Sequence, residues 1–181
     1  MHRHLIVSAI SLTLAAPALS PALAIDMPAR KPGLWEIKME FEGRNLPATA
    51  MRQCVDQATD KLMNANFGGA SQEACSKHDI KKVAGTMIID SVCNFGDATT
   101  TSHAVISGSF DSAYTMKVTS KRDGGPPLPG IAPGAETHMT IEAKHLGACE
   151  AGQRPGDVML SNGMKMNVLD LPKMSTPPRK P

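Results

Sequence analysis

At 181 residues the chain is long enough for one ordinary domain, able to bury roughly 68–70% of the surface its unfolded form exposes. Nineteen Lys and Arg face seventeen Asp and Glu, so no excess of positive charge exists to draw nucleic acid or an anionic membrane surface. Aromatic residues make up only 3% while methionine occurs 12 times, which predicts a core filled by flexible thioethers in place of rings.

The first segment, residues 1–24, has the pattern of a removable secretory signal peptide. His2, Arg3 and His4 give a positive start, a mostly apolar run follows over 5–19, and Ala22-Leu23-Ala24 supplies an A-x-A cleavage site. A spanning helix needs about 20 apolar residues, and no cysteine at the cut offers a lipid anchor. The expectation is a periplasmic chain, cleaved after Ala24, with no transmembrane segment in the mature part. Loss of Arg3 with the leader leaves eighteen Lys and Arg against seventeen Asp and Glu, still close to neutral.

Gly33 precedes the cleanest strand pattern. Trp35, Ile37, Met39 and Phe41 alternate with Glu36, Lys38, Glu40 and Glu42, so one face is buried and the other wet. Such alternation favours an antiparallel sheet, because all-parallel sheets are covered on both faces. Residues 43–47 turn, and 48–55 return as a second strand. Residues 56–67 are the helical candidate: Asp56 caps the first turn, Ala58, Leu62 and Ala65 fall at helical spacing, and Gly68-Gly69 stop it.

All four cysteines, Cys54, Cys75, Cys93 and Cys149, lie in the expected mature chain. An even number in an oxidising compartment reads as two disulfides, for which three connectivities exist. No C-x-x-C occurs, so the usual spacing of a redox or zinc site is absent. Residues 75–93 form a hairpin pattern. A three-residue loop at Val83-Ala84-Gly85 sets Lys82 opposite Thr86 and, by equal steps, Cys75 opposite Cys93. Elimination then pairs Cys54 with Cys149.

Residues 99–107 make a β-branched strand, and Tyr114, Met116 and Val118 mark the inner face of the next. Eight of the eleven residues over 124–134 are Gly or Pro, which dictates an exposed loop. Met139, Ile141 and Ala143 alternate with Thr140, Glu142 and Lys144 in the last clear strand. The expected fold is mainly β: one antiparallel curled sheet or half-barrel meander of about seven strands, with one short helix, over residues 25–149. Residues 150–181 are expected to be a Pro-rich, mostly irregular tail, with at most a short strand at 164–168.

Arg30-Lys31-Pro32-Gly33-Leu34-Trp35-Glu36 resembles the opening K-P-G-L-W-E motif of the exported bacterial domain-of-unknown-function family thirty-six-seventeen. Cys54 before the helix, the 75–93 hairpin and Leu146-Gly147-Ala148-Cys149 follow in that family's order, so the resemblance spans roughly residues 28–149. It implies an exported β-rich protein and carries over no activity and no functional residues.

Recognised enzyme signatures are missing: no G-x-S-x-G, H-E-x-x-H, phosphate loop or dinucleotide fingerprint occurs. His78 and Asp79, and Ser102 and His103, are chain neighbours that point apart on strands. Methionines invite a Cu(I) reading through Met164 and Met166 with His138 and His145. Yet the two histidines are seven positions apart and face opposite ways, and Met39, Met116 and Met139 share faces with packing residues. No enzyme, cofactor or metal is therefore expected.

The leading expectation is a binding module for a small apolar or amphipathic molecule, on a face formed by Trp35, Ile37, Met39, Met116 and Met139. The alternative is an envelope interaction or structural protein that meets a protein partner through the 124–134 loop, a sheet edge or the tail.

Overall fold

The computed structural model describes residues 27–43, 48–67 and 74–170. The expected signal peptide, the Gly68-Gly69 stop, most of the 43–47 turn and the last eleven residues lie outside the described residues. The elements are β1 (Gly33–Phe41), β2 (Thr49–Val55), α1 (Gln57–Phe67), β3 (Cys75–Val83), β4 (Thr86–Phe95), β5 (Ala98–Ser109), β6 (Ala113–Gly124), β7 (Glu136–Gly147), β8 (Asp157–Leu160) and β9 (Lys165–Asn167).

All strands join one open antiparallel sheet in the order β3-β4-β5-β6-β7-β1-β2-β8-β9. The mainly β class and single open antiparallel sheet agree with expectation, with nine strands among the described residues in place of about seven. The path is also not one simple meander. After the β1–β2 hairpin the chain crosses to the far edge through α1, and β3 to β7 then run back until β7 pairs with β1.

Register aligns the apolar positions into ladders on one face. Ile89, Ala104, Val118 and Met139 form one row, and Met87, Ile106, Met116, Ile141 and Met39 the next. The opposite face carries Asp90, His103, Thr119 and His138 across the same strands. This is the period-two consequence of the strand pleat. The central core packs Trp35, Ile37, Val55, Met63, Ala143, Val158 and Val168.

Cys75–Cys93 and Cys54–Cys149 are both bonded, and the second ties the end of β2, just ahead of α1, to the residues just after β7. The hairpin reaches the first bridge by a different route from the one expected. Val83, not Lys82, pairs with Thr86, leaving a two-residue turn with Ala84 at φ 48° and Gly85 at φ 81°. Two consecutive positive φ values suit the twist of a tight hairpin. The one-residue offset is cancelled by an irregularity between Cys75 and Lys77, which returns Cys75 to a position opposite Cys93.

Asp56 caps α1 as expected. Thr59 N donates to Asp56 Oδ1 at 2.8 Å, and Asp56 N donates to Thr59 Oγ1 at 3.0 Å. Hydrogen bonds from the Thr59 backbone and side chain hold the Asp56 carboxyl below its ordinary range. The buried face of α1 is a correction: Thr59, Asp60 and Met63 point inward, while Ala58 is exposed and Leu62 is 41% exposed.

The expected irregular tail is corrected as well, except that the short strand expected at 164–168 is found as β9. Residues 157–167 form the β8–β9 hairpin, which pairs with β2 and sends Val158 into the core, with Val168 buried just beyond it. Asp157, 1% exposed, anchors the hairpin by accepting from Lys165 Nζ (2.7 Å), Asn167 Nδ2 (2.8 Å) and Arg154 N (2.9 Å). Burial alone would raise its carboxyl pKa, but those donors together hold it below the ordinary range.

Candidate functional site

The segment ahead of β1 braces the apolar face of the sheet, and each residue of the R-K-P-G-L-W run has a task. Arg30 donates to Asp60 from its backbone N (2.8 Å to Oδ2) and from Nε (2.6 Å to Oδ1). The two side chains are 5% and 0% exposed. Lys31 N donates to the Phe110 carbonyl at 2.9 Å, and the Lys31 carbonyl accepts from Trp35 Nε1 at 2.8 Å. The Pro32 carbonyl accepts a hydrogen bond from His145 Nε2 at 3.1 Å. Gly33 sits at φ 132°, where a Cβ would run into the Gly147 carbonyl and the His145 ring. Leu34 and Trp35 are buried.

Trp35 is wholly enclosed, with the His145 ring edge-on at 5.4 Å, Tyr114 at 5.9 Å and the Arg30 guanidinium 5.7 Å from its centroid. It is a core anchor whose N–H is satisfied. Phe110 stacks on Tyr114 at 4.6 Å and extends the cluster. Burial pushes the Tyr114 phenol above its ordinary range, partly opposed by the Arg30 charge, so the ring is uncharged at neutral pH.

Above this brace the sheet and α1 border a cleft of about 340 Å³. Ile89, Ala104, Met116, Val118, Met139 and Ile141 supply an apolar wall from β4 to β7, and Met63 and Asn64 of α1 face them. Arg30, Gln53 and Tyr114 bring polar atoms to the β1–β2 side, and Ser91, Ser102 and His78 bring them to the β3–β5 side. Cys75 and Cys93 also border the space. A cavity of about 150 Å³ already accepts benzene, so this one has room for a ligand roughly twice that size.

Of the five residues expected to form an apolar face, Ile37, Met116 and Met139 line the cleft. Trp35 lies beneath it, and Met39 packs against the core. Sequence reasoning missed Arg30, Gln53, Met63, Asn64 and Tyr114 as wall residues. The available signals were the position of Arg30 at the head of the motif and that of Tyr114 on the inner face with Met116 and Val118. His145 packs on Trp35 while His138, on the other face, meets Thr119 Oγ1 at 3.2 Å and Glu136 at 3.4 Å. The two do not converge with Met166, which packs against the core.

A second hollow of about 380 Å³ lies on the polar face and is lined by Glu36, Lys38, Glu142 and Lys144 among others. Lys38, Glu142 and Lys144 are exposed, Glu36 is half-buried, and the four charges cancel, so the apolar cleft is the stronger candidate.

No helix among the described residues is long and apolar enough to cross a membrane. No curated protein and no solved structure matches the chain. A family model described as a protein of unknown function, DUF3617, matches residues 30–149, from the buried Arg30 to the bridged Cys149 and short of the β8–β9 hairpin. By that match, over the segment that builds the brace and most of the cleft wall, the chain belongs to the DUF3617 family.

Proposed function

We propose that this is an exported, periplasmic, non-enzymatic binding module for a small apolar or amphipathic molecule held in the methionine-walled cleft. The observation that carries the reading is the cleft itself: about 340 Å³ bounded by apolar side chains, with a few polar groups at its two ends. That mixture is the usual make-up of small-molecule sites. Unbranched thioethers reshape at little cost, so Met63, Met116 and Met139 suit a wall that must fit a flexible guest. Two disulfides are consistent with an oxidising compartment.

The alternative, a protein partner met through the loop, sheet edge or tail, draws less support. β8 and β9 of the expected tail are sheet strands that send Val158, Leu160 and Met166 to the core. The β3 edge carries Lys77, Lys81 and Lys82, a composition that discourages strand addition.

Methyl-labelled methionine NMR tests the reading directly. Titration with small amphiphiles should shift Met63, Met116 and Met139 and leave the exposed Met164 unmoved. Native mass spectrometry of protein taken from the periplasm should show a retained small molecule. Uniform silence of the four cleft methyls, Met27 included, across apolar probes would sink the proposal.

A further inference from the structure

Resting on that reading, we infer that the cleft selects uncharged amphiphiles with an oxygen acceptor, and discriminates against carboxylates. Two donors at its polar end, the charged Arg30 and the neutral amide of Gln53, each meet a sulfur, and Arg30 interacts besides with the Tyr114 hydroxyl. Arg30 Nη2 points to Met63 Sδ at 3.6 Å, and Gln53 Nε2 to Met51 Sδ at 3.4 Å. A thioether is a weak acceptor, whereas a bond from a charged donor to oxygen is among the strong ones. Arg30, Gln53 and Met63 all border the cleft, so a ketone, ester or hydroxyl oxygen reaching that end gains an acceptor position that sulfur fills poorly. Met63 is flexible enough to yield it.

The charge of Arg30 is already answered. Asp60 meets it at 2.6 Å, both groups are buried, and the remaining guanidinium nitrogen Nη1 donates to Gln53 Oε1 at 2.8 Å. Arg30 is the one Lys or Arg among the described residues that line the cleft. A carboxylate would have to shed its water beside a neutral ion pair, with the Asp60 charge close by. A neutral acceptor pays no such penalty.

Three probes with one carbon count separate the possibilities: benzylacetone, phenylbutanoate and butylbenzene, titrated at neutral pH into the full exported chain and followed at the methionine methyls. Benzylacetone should bind about tenfold more tightly than either of the others, the gain expected of one added hydrogen bond to a charged donor. In Arg30→Met/Asp60→Leu the ketone should lose that advantage over butylbenzene while butylbenzene still binds. Met63→Leu, an isosteric change that removes the sulfur acceptor, keeps the test open if the double variant fails to fold, and there the ketone's advantage should widen. Phenylbutanoate binding as tightly as the ketone, or all three binding alike, would overturn the inference while leaving a binding cleft. Silence from all three would overturn both.

Discussion

Breaking the Arg30–Asp60 pair tests the brace on which the cleft stands. The salt bridge spans 2.6 Å between side chains 5% and 0% exposed. With charge centres ~4 Å apart and an effective dielectric of about 20, the attraction is on the order of 4 kcal/mol. Removing one partner strands the other away from water, so Arg30→Met and Asp60→Leu should each cost about 3–5 kcal/mol. Replacing both removes the stranded charge and fills the space with apolar atoms, so the double variant should be no less stable than either single one. For a domain of this size each kcal/mol moves Tm by about 2–4 °C, which puts each single variant roughly 6–20 °C below the native protein. Urea unfolding, followed by Trp35 fluorescence and by circular dichroism, supplies the four corners of the cycle. Strictly additive losses would show that the two groups do not depend on one another, and the account of the brace would be wrong.

The disulfides should rank by the chain they close. Sequence separations of 95 and 18 residues give about 4.7 kcal/mol for Cys54–Cys149 and about 3.2 kcal/mol for Cys75–Cys93 on the chain-entropy model. Paired Cys→Ala variants compared by urea unfolding check the order, and equal losses would contradict it. Asp157 predicts an acid-labile hairpin: its carboxyl is held below the ordinary 3.8, so its contribution is complete above that value and is lost as pH falls through the lower folded pKa. Native protein should therefore lose its stability margin over Asp157→Asn in acid, as read by urea melts from neutral pH down to pH ~2, and a margin independent of pH would refute the sign. Gly33→Ala forces a side chain into a φ of 132° against the Gly147 carbonyl. Backbone strain alone should cost roughly 1–3 kcal/mol, seen as a lowered Tm with perturbed Trp35 emission, whereas an unchanged Tm would mean that the close approach of β1 and β7 is not required.

Local pattern was enough for a good part of this protein. The alternation through Trp35 to Glu42 marks β1 and its wet face because the pleat has a period of two. Asp56 ahead of Thr59 marks a helix start because an orphan backbone N–H needs an acceptor. The Gly/Pro run after β6 leaves the chain no option but a loop. Hairpin proximity predicted Cys75–Cys93, although a tighter turn and a compensating irregularity produced it. Only the tertiary structure decided which face of α1 is buried. Asp60 looks like a solvated helix residue until Arg30, thirty positions earlier, meets it inside the protein. Likewise β8, four residues long, is too short to show a period of its own, and it is a strand because β2 offers an edge to pair with, whereas the short strand expected at 164–168 is found as β9. The cleft follows the same rule, since Arg30, Gln53, Met63 and Met116 come from four separate segments. Periodicity records how each residue relates to its near neighbours, whereas burial of a charge or pairing at an edge depends on a distant partner that the local chain does not encode.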